Sequence, residues 1–437
     1  MTSRPDGSLL IAARFMNSPR SNAPNTLPTN PDVVIIGGGI VGLATALTLM
    51  RRNRSLSICV VEAESHVAAH QSGHNSGVLH SGIYYKPGSV KAITCRTGKA
   101  MMEAFCDEHH IPWDRCGKVV VATNASEVER LEAIAQRATA NGVSFDRIDT
   151  DTLRKLEPAV AGIAALHVPE TGIVNYATVC EAMRSEVLRG GNNVVLSFKV
   201  TKIETFADSL AIIDDQDRTI HCGRMINCAG LQSDRILRLA GAEPTVKIVP
   251  FRGEYYELVP RSEHLCRNLI YPVPDPSFPF LGVHFTRMID GGVECGPNAV
   301  LALSRHGYDW RTFNSRDFIE TLGYGGFRKL ARTYWRTGLG EIHRSLRKAA
   351  FVSALQKLIP SIRAADLKTG RSGVRAQAVT PAGSLVDDFL IHSTQHAIHV
   401  LNAPSPAATA SLAIAAQILD RFDSIDGKEV SLPGVVR

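Results

Sequence analysis

Three glycines at GxGxxG spacing, Gly37, Gly39 and Gly42, follow directly on the apolar run Val33–Ile36, and Glu62 lies 20 residues beyond the last of them. That spacing can hold a dinucleotide. Gly37 permits a sharp turn, Gly39 lets backbone N–H groups approach a pyrophosphate, and Gly42 lets a helix pack closely on a strand. The helix opening at Ile40 and Val41 brings partial positive charge to the phosphates. Glu62, followed by Ala63, can accept hydrogen bonds from ribose hydroxyls and repels a 2′-phosphate, so FAD or NAD is favoured over NADP. The glycines do not choose between those two.

Such a turn must be carried by a βαβ unit, and the chain supplies one: a strand from Val33 to Ile36, a helix from Val41 to about Arg51 and a strand from Leu56 to Glu62. The uncharged run between Asp32 and Arg51 is 18 residues long, the lower limit for a membrane span. Its three central glycines, where Val/Ile gives way to Ala/Leu, fit a buried strand, turn and helix instead. Further on, a β-rich run covers Cys116 to Thr123, and an amphipathic helix runs from Ser126, read as its N-cap, to about Ala140. A helix from Tyr176 to Leu188, a strand from Asn193 to Phe198 and a strand from Arg224 to Cys228 then restore α/β character, ending at Ala229 and Gly230. Between about Val246 and Ile359 the chain is aromatic-rich and broken by Pro and Gly, as in PVPDPSFPF, which predicts a separate sheet. From Gly373 onward, a strand at His399 to Leu401 and a helix from about Ala407 return to the first lobe.

The expected fold is α/β (α+β), with a discontinuous Rossmann-like nucleotide domain plus a mixed-sheet substrate-binding domain. The first takes residues 31–110, 170–245 and 365–437; the second takes 111–169 and 246–364. A chain of 437 residues suits two such cores, and 44% apolar with 21% charged residues is the composition of an ordinary folded enzyme. A net charge of +6, dispersed along the chain, argues against a nucleic-acid surface. The nine cysteines contain no CxxC pair, so no zinc cage, dithiol motif or other metal site is expected, and buried thiols in a reducing compartment are. Residues 1–30 carry Arg4, Arg14 and Arg20 against the single acid Asp6 among Ser, Asn and Pro, and are expected to be disordered. Their Arg/Ser-rich composition resembles a targeting segment but lacks a sustained amphipathic helix.

Residues 225–230 (MINCAG), followed by Gln232, Ser233 and Asp234, resemble the second flavin-associated strand and turn of the D-amino-acid-oxidase-like superfamily, which selects FAD. Residues 71–89 (QSGHNSGVLHSGIYYKPGS) are similar to a long segment of the L-2-hydroxyglutarate dehydrogenase/oxidase family. Residues 250–256, 282–287, 373–377 and 402–409 add matches in the family's order. The resemblance runs from 33 to about 418 and is weaker over 303–337, so no functional residue is carried over from there. It implies a two-lobe flavoprotein with non-covalent FAD that oxidises L-2-hydroxyglutarate to 2-oxoglutarate. It also implies electron transfer to a quinone or electron-transfer chain, with no spanning helix and at most a peripheral membrane contact. The corresponding location is cytoplasmic, at the inner membrane, or mitochondrial in a eukaryote.

Under that resemblance Gly73, His74, Asn75, Ser76 and Gly77 line the ribityl or isoalloxazine edge, with Val200, Ala229 and Gly230 beside the nucleotide. Asn402, Pro404, Ser405, Pro406 and Ala407 place a helix start at the pyrimidine ring. Hydride loss from C2 needs a base for the hydroxyl proton. His284 is the preferred candidate and His80 the close competitor. A small dicarboxylate also needs cations. Arg252, Arg287 and Arg375 can clamp carboxylates bidentately, Lys86 can act as a point charge, and Tyr84 and Tyr271 can donate hydrogen bonds. Each taken singly can equally be a structural residue. Competing functions are a flavin amine oxidase of the glycine/sarcosine type, a glycerol-3-phosphate dehydrogenase, and a non-catalytic flavin-binding sensor.

Overall fold

The computed structural model describes residues 27–275 and 282–425. Most of the expected disordered extension (1–26), residues 276–281 of the proline-broken stretch and residues 426–437 lie outside the described residues. All four residues of strand Val33–Ile36 are buried, as a strand covered on both faces requires. Its side chains separate by alternation. Val33 and Ile35 pack with Leu43, Leu47, Met183 and Ile418 from helices Ile40–Arg52, Tyr176–Arg189 and Ala407–Ser424. Val34 and Ile36 face Ile203, Ile212 and Ile220 of a small sheet formed by Val200–Thr205, Leu210–Asp214 and Thr219–Cys222.

Val33–Ile36 is central in a six-stranded sheet ordered Leu390–Ser393, Ala397–Asn402, Arg224–Asn227, Val33–Ile36, Ile58–Val61 and Asn193–Val195. Neighbours are parallel except at the Leu390–Ser393 edge. Three separated stretches of chain thus build one nucleotide sheet. The 18-residue uncharged run is divided among its first strand, turn and helix, and no helix among the described residues is long and apolar enough to cross a membrane.

The second sheet is mixed. Along its path lie Val300–Leu301, Lys247–Leu258, Val293–Gly296, His284–Arg287, Leu269–Pro272, Lys118–Ala122, Ala164–Val168 and Asp146–Ile148. Strand Leu367–Val379, expected in the nucleotide lobe, instead pairs with Lys247–Leu258 along nearly its whole length. The chain rejoins the nucleotide sheet after this strand, at Leu390–Ser393 and Ala397–Asn402. On one face Val119, Ile270, Phe285 and Cys295 join Phe351, Leu355 and Ile359 in an apolar core. Alternation therefore sends their chain neighbours Lys118, Tyr271 and His284 to the opposite face. Helix Ala125–Ala140 is capped by Asn124, whose side chain accepts the Glu127 N–H, and not by Ser126, whose hydroxyl donates to that same Asn124 oxygen. Asparagine in an extended conformation ahead of the first turn displaces the later serine.

Candidate active site

A cavity of about 1240 Å³ is lined from both sheets. At its nucleotide end Gly37 has φ +114°, and a Cβ there would stand 2.5 Å from the Cys228 carbonyl oxygen. A Cβ on Gly42 would come within 2.0 Å of the Gly37 oxygen, so only glycine lets helix Ile40–Arg52 start this close to the turn. Gly39 precedes that helix, and the Ile40 N–H donates to Ser72 Oγ at 2.9 Å. Glu62 directly follows strand Ile58–Val61 with its carboxylate fixed, accepting from the Gly38 N–H at 2.7 Å and the Glu64 N–H at 2.9 Å, with lone pairs to spare for hydroxyl donors. Gly37, Gly39, Ile40, Val41, Glu62, Ala63, His74, Asn75, Ser76, Val200, Ala229 and Gly230 all line the cavity. So do Pro404, Ser405, Pro406 and Ala407, where helix Ala407–Ser424 begins with no side-chain cap and no acid in its first turn. Its open N–H groups and positive dipole end therefore face the cavity.

At the second sheet the lining is made by His80, Tyr255, Tyr271, His284 and Arg375. The rings of Tyr271 and His284 lie 4.1 Å apart. His284 Nδ1 bonds the Gly282 carbonyl oxygen at 2.9 Å. A carbonyl only accepts, so Nδ1 carries the hydrogen and Nε2 is left as a proton acceptor. Burial, with Arg375 and Lys118 adding to it, pushes His284 down to about 4. Burial also pushes His80 down to about 3, aided by Lys118 and His284. Both rings are neutral at pH 7. Arg375 hydrogen-bonds the Tyr255 hydroxyl.

An uncapped helix start, a glycine turn free of Cβ atoms and a fixed carboxylate form a set that fits FAD along the cavity. Residues 32–421 match the family of FAD dependent oxidoreductases. The chain is 51% identical to an L-2-hydroxyglutarate dehydrogenase from Indibacter alkaliphilus, over 89% of this chain and 98% of that protein. A second such enzyme, from Escherichia coli, is 44% identical over 90% of this chain and 93% of its own. The chain belongs to the L-2-hydroxyglutarate dehydrogenase family of FAD-dependent oxidoreductases. Its fold is shared more widely. A dithionite-reduced L-alpha-glycerophosphate oxidase from Mycoplasma pneumoniae with FAD bound superposes with a TM-score of 0.75 at 21% identity, covering 93% of this chain and 97% of its own.

In this oxidoreductase several of the expected site residues stand outside the cavity lining. Arg252 is fully buried, pairs with Glu254 at 2.8 Å, donates to the Asp309 carbonyl at 2.6 Å and lies over the Trp310 ring. The pairing register explains it: Phe251 stands opposite Arg375 and Arg252 opposite Val374, so the two guanidiniums leave on opposite faces. Arg287, three positions after His284, likewise leaves by the other face and pairs with Asp114. Lys86 is exposed in a turn where its carbonyl accepts from Ser89. Tyr84 packs against Lys118 behind the lining, its hydroxyl buried without a hydrogen-bond partner. Gly42, Gly73, Gly77 and Asn402 shape the cofactor segments without lining them. The Gly73 N–H bonds the His70 carbonyl, the Gly77 N–H bonds Asn75 Oδ1, and the Asn402 amide ties the Val386 and Asp388 carbonyls.

Other residues escaped the sequence reading. Ser72 sits inside the segment already singled out. Gln71 Oε1 accepts the Ala376 N–H, joining the nucleotide lobe to the strand that carries Arg375. Tyr308, from the stretch of weak resemblance, bonds His70 through its hydroxyl at 2.9 Å and accepts at its carbonyl from Ser372. Lys118 was legible as a lysine opening a run of three valines, a charge where a wholly buried strand should have none.

Proposed function

We propose that the enzyme oxidises L-2-hydroxyglutarate to 2-oxoglutarate, with FAD held non-covalently in the cavity. The observation that carries this reading is the convergence of Arg375, Tyr271, His80 and His284 on one cavity shared with the GxGxxG turn. FAD, when bound, supplies the acceptor for the hydride leaving C2. Arg375 holds a carboxylate, while the tautomer fixed by Gly282 leaves His284 Nε2 to take the hydroxyl proton. A dicarboxylate beside the imidazole favours its protonated form, which raises its basicity as the proton arrives. His80, whose backbone N–H donates to Thr409 and whose Nε2 lies 3.4 Å from Ser405 Oγ, stands where it meets the helix start.

The acceptor we propose is a membrane quinone, reached by peripheral contact. Helices Ser315–Gly323 and Gly325–Leu346 support this. Trp335, Leu339, Ile342 and Leu346, spaced i, i+4, i+7 and i+11, are all exposed, with Phe313 and Ile319 nearby. Exposed Arg311, Arg316, Arg328, Lys329, Arg332, Arg336 and Arg347 surround them, while Asp317 and Glu341 are buried. An apolar stripe bordered by cations, with the acids of the two helices buried or half-buried, suits an anionic bilayer surface.

Anaerobic mixing with L-2-hydroxyglutarate is expected to bleach the visible flavin absorbance. Glycine, sarcosine and glycerol 3-phosphate in parallel should not. Bleaching by one of those three and not by L-2-hydroxyglutarate assigns the enzyme to the corresponding relative.

A further inference from the structure

A dicarboxylate brings two negative ends, and Arg375 accounts for one. Arg252 and Arg287 are committed elsewhere, to Glu254 and Asp114. Lys91 lines the cavity, but its ammonium is held by the Asp387 carboxylate and carbonyl at 2.9 Å each. Arg235 is taken by Asp317 and Glu320, and Arg238 by Glu243.

One cation near the two histidines has no such commitment. Lys118 is 1% exposed, and its Nζ stands over the rings of Tyr84 and Tyr271, 4.6 and 5.1 Å from their centroids. No carboxylate among the described residues pairs with it. Burial, opposed weakly by Cys95, pushes its ammonium down to about 7. An isolated charge in this position is costly, and a buried lysine ordinarily has an acid beside it. The surroundings say where a missing anion belongs. Lys118 and Tyr84 stand just behind Tyr271, which lines the cavity with His80 and His284, and the charge of Lys118 is felt by both histidines. Beside Lys118 the Tyr84 hydroxyl is buried with no hydrogen-bond partner, a second polar group wanting an acceptor. A carboxylate answers both, since it accepts hydrogen bonds and its charge offsets the ammonium.

We infer that Lys118, with the Tyr84 hydroxyl beside it, supplies from just behind the Tyr271 and His284 lining the counter-charge for the second carboxylate of the substrate, and so makes the site selective for diacids over mono-acids. This rests on the proposed oxidation of L-2-hydroxyglutarate. Arg375 and Lys118 then divide the two ends of the diacid between them, with His284 within the field of both.

The test compares L-2-hydroxyglutarate with L-2-hydroxyvalerate, the same carbon chain ending in a methyl group, by anaerobic flavin reduction in the holoenzyme. Lys118→Met should lower the ratio of kcat/KM for the diacid over the mono-acid about 100-fold, as the loss of a charged hydrogen-bonding partner does. Tyr84→Phe, which keeps the ring, should lower the same ratio about tenfold, as the loss of one charge-assisted hydrogen bond does. Glutarate and valerate, titrated against the oxidised flavin spectrum, should show the same loss of discrimination without turnover. A structural role would depress both substrates alike and leave the ratio unchanged, which overturns the inference. Should Lys118→Met not fold, an unchanged ratio in Tyr84→Phe overturns it equally. If the unmodified enzyme is not reduced by L-2-hydroxyglutarate at all, the functional reading has failed before either variant is made.

Discussion

His284 and His80 illustrate how little separates two equivalent candidates until their hydrogen bonds are known. The Gly282 carbonyl fixes His284 as the Nδ1–H tautomer, and that bond assigns the acceptor nitrogen. His284→Ala is expected to slow flavin reduction by about 10²–10⁴-fold while FAD stays bound. Stopped-flow reduction at full rate would move the role to His80. The same burial has a consequence for stability. His80, His284 and His399 titrate at about 3, 4 and 4 in the folded chain, against about 6.5 when unfolded. The unfolded chain therefore binds more protons between these values. The stability these groups contribute is fully present above about 6.5 and is lost as pH falls toward 4. Thermal midpoints measured from pH 7 down to pH 5 should decline, and a flat profile would contradict the burial of these rings.

At the scale of elements, register decides which of two neighbouring arginines lines the cavity. Phe251 pairs with Arg375, so Arg252 emerges on the other face and finds Glu254, Asp309 and Trp310. Arg252→Met should cost about 3 kcal/mol of stability, because Glu254 loses its cation while Asn298 and Ser345 still hold its other oxygen. Chemical denaturation checks this. A raised KM at unchanged stability would instead return Arg252 to the substrate. The glycine turn is similarly intolerant. Gly42→Ala puts a Cβ 2.0 Å from the Gly37 oxygen and must lift helix Ile40–Arg52 off the turn. A displacement of about 1 Å can cost 10²-fold in a positioned site, so the purified variant should have lost its flavin absorbance.

Across the whole molecule, the nucleotide sheet, the mixed sheet and the helices Ser315–Gly323 and Gly325–Leu346 are given separate tasks by this reading. Trp335→Glu combined with Leu339→Glu is expected to abolish sedimentation with phosphatidylglycerol vesicles while flavin reduction by substrate is retained. Equal binding of this variant and the unmodified enzyme would exclude these helices as the contact. Binding to phosphatidylcholine as strong as to phosphatidylglycerol would exclude the charge argument.

The sequence by itself determined whatever depends on neighbours along the chain. Gly37, Gly39, Gly42 and Glu62 specify the dinucleotide turn because a tight turn, a close helix and a strand-end carboxylate are all local demands. The buried strand Val33–Ile36 and the helix start near Ala407 were legible for the same reason. Only the tertiary structure decided which cations reach the cavity. That choice turns on strand register and on partners far away in the chain, such as Asp114 for Arg287 and Asp309 for Arg252. A one-residue step along a strand reverses the face a side chain leaves by, and nothing in the local sequence records which face will be covered by apolar core and which will meet the flavin.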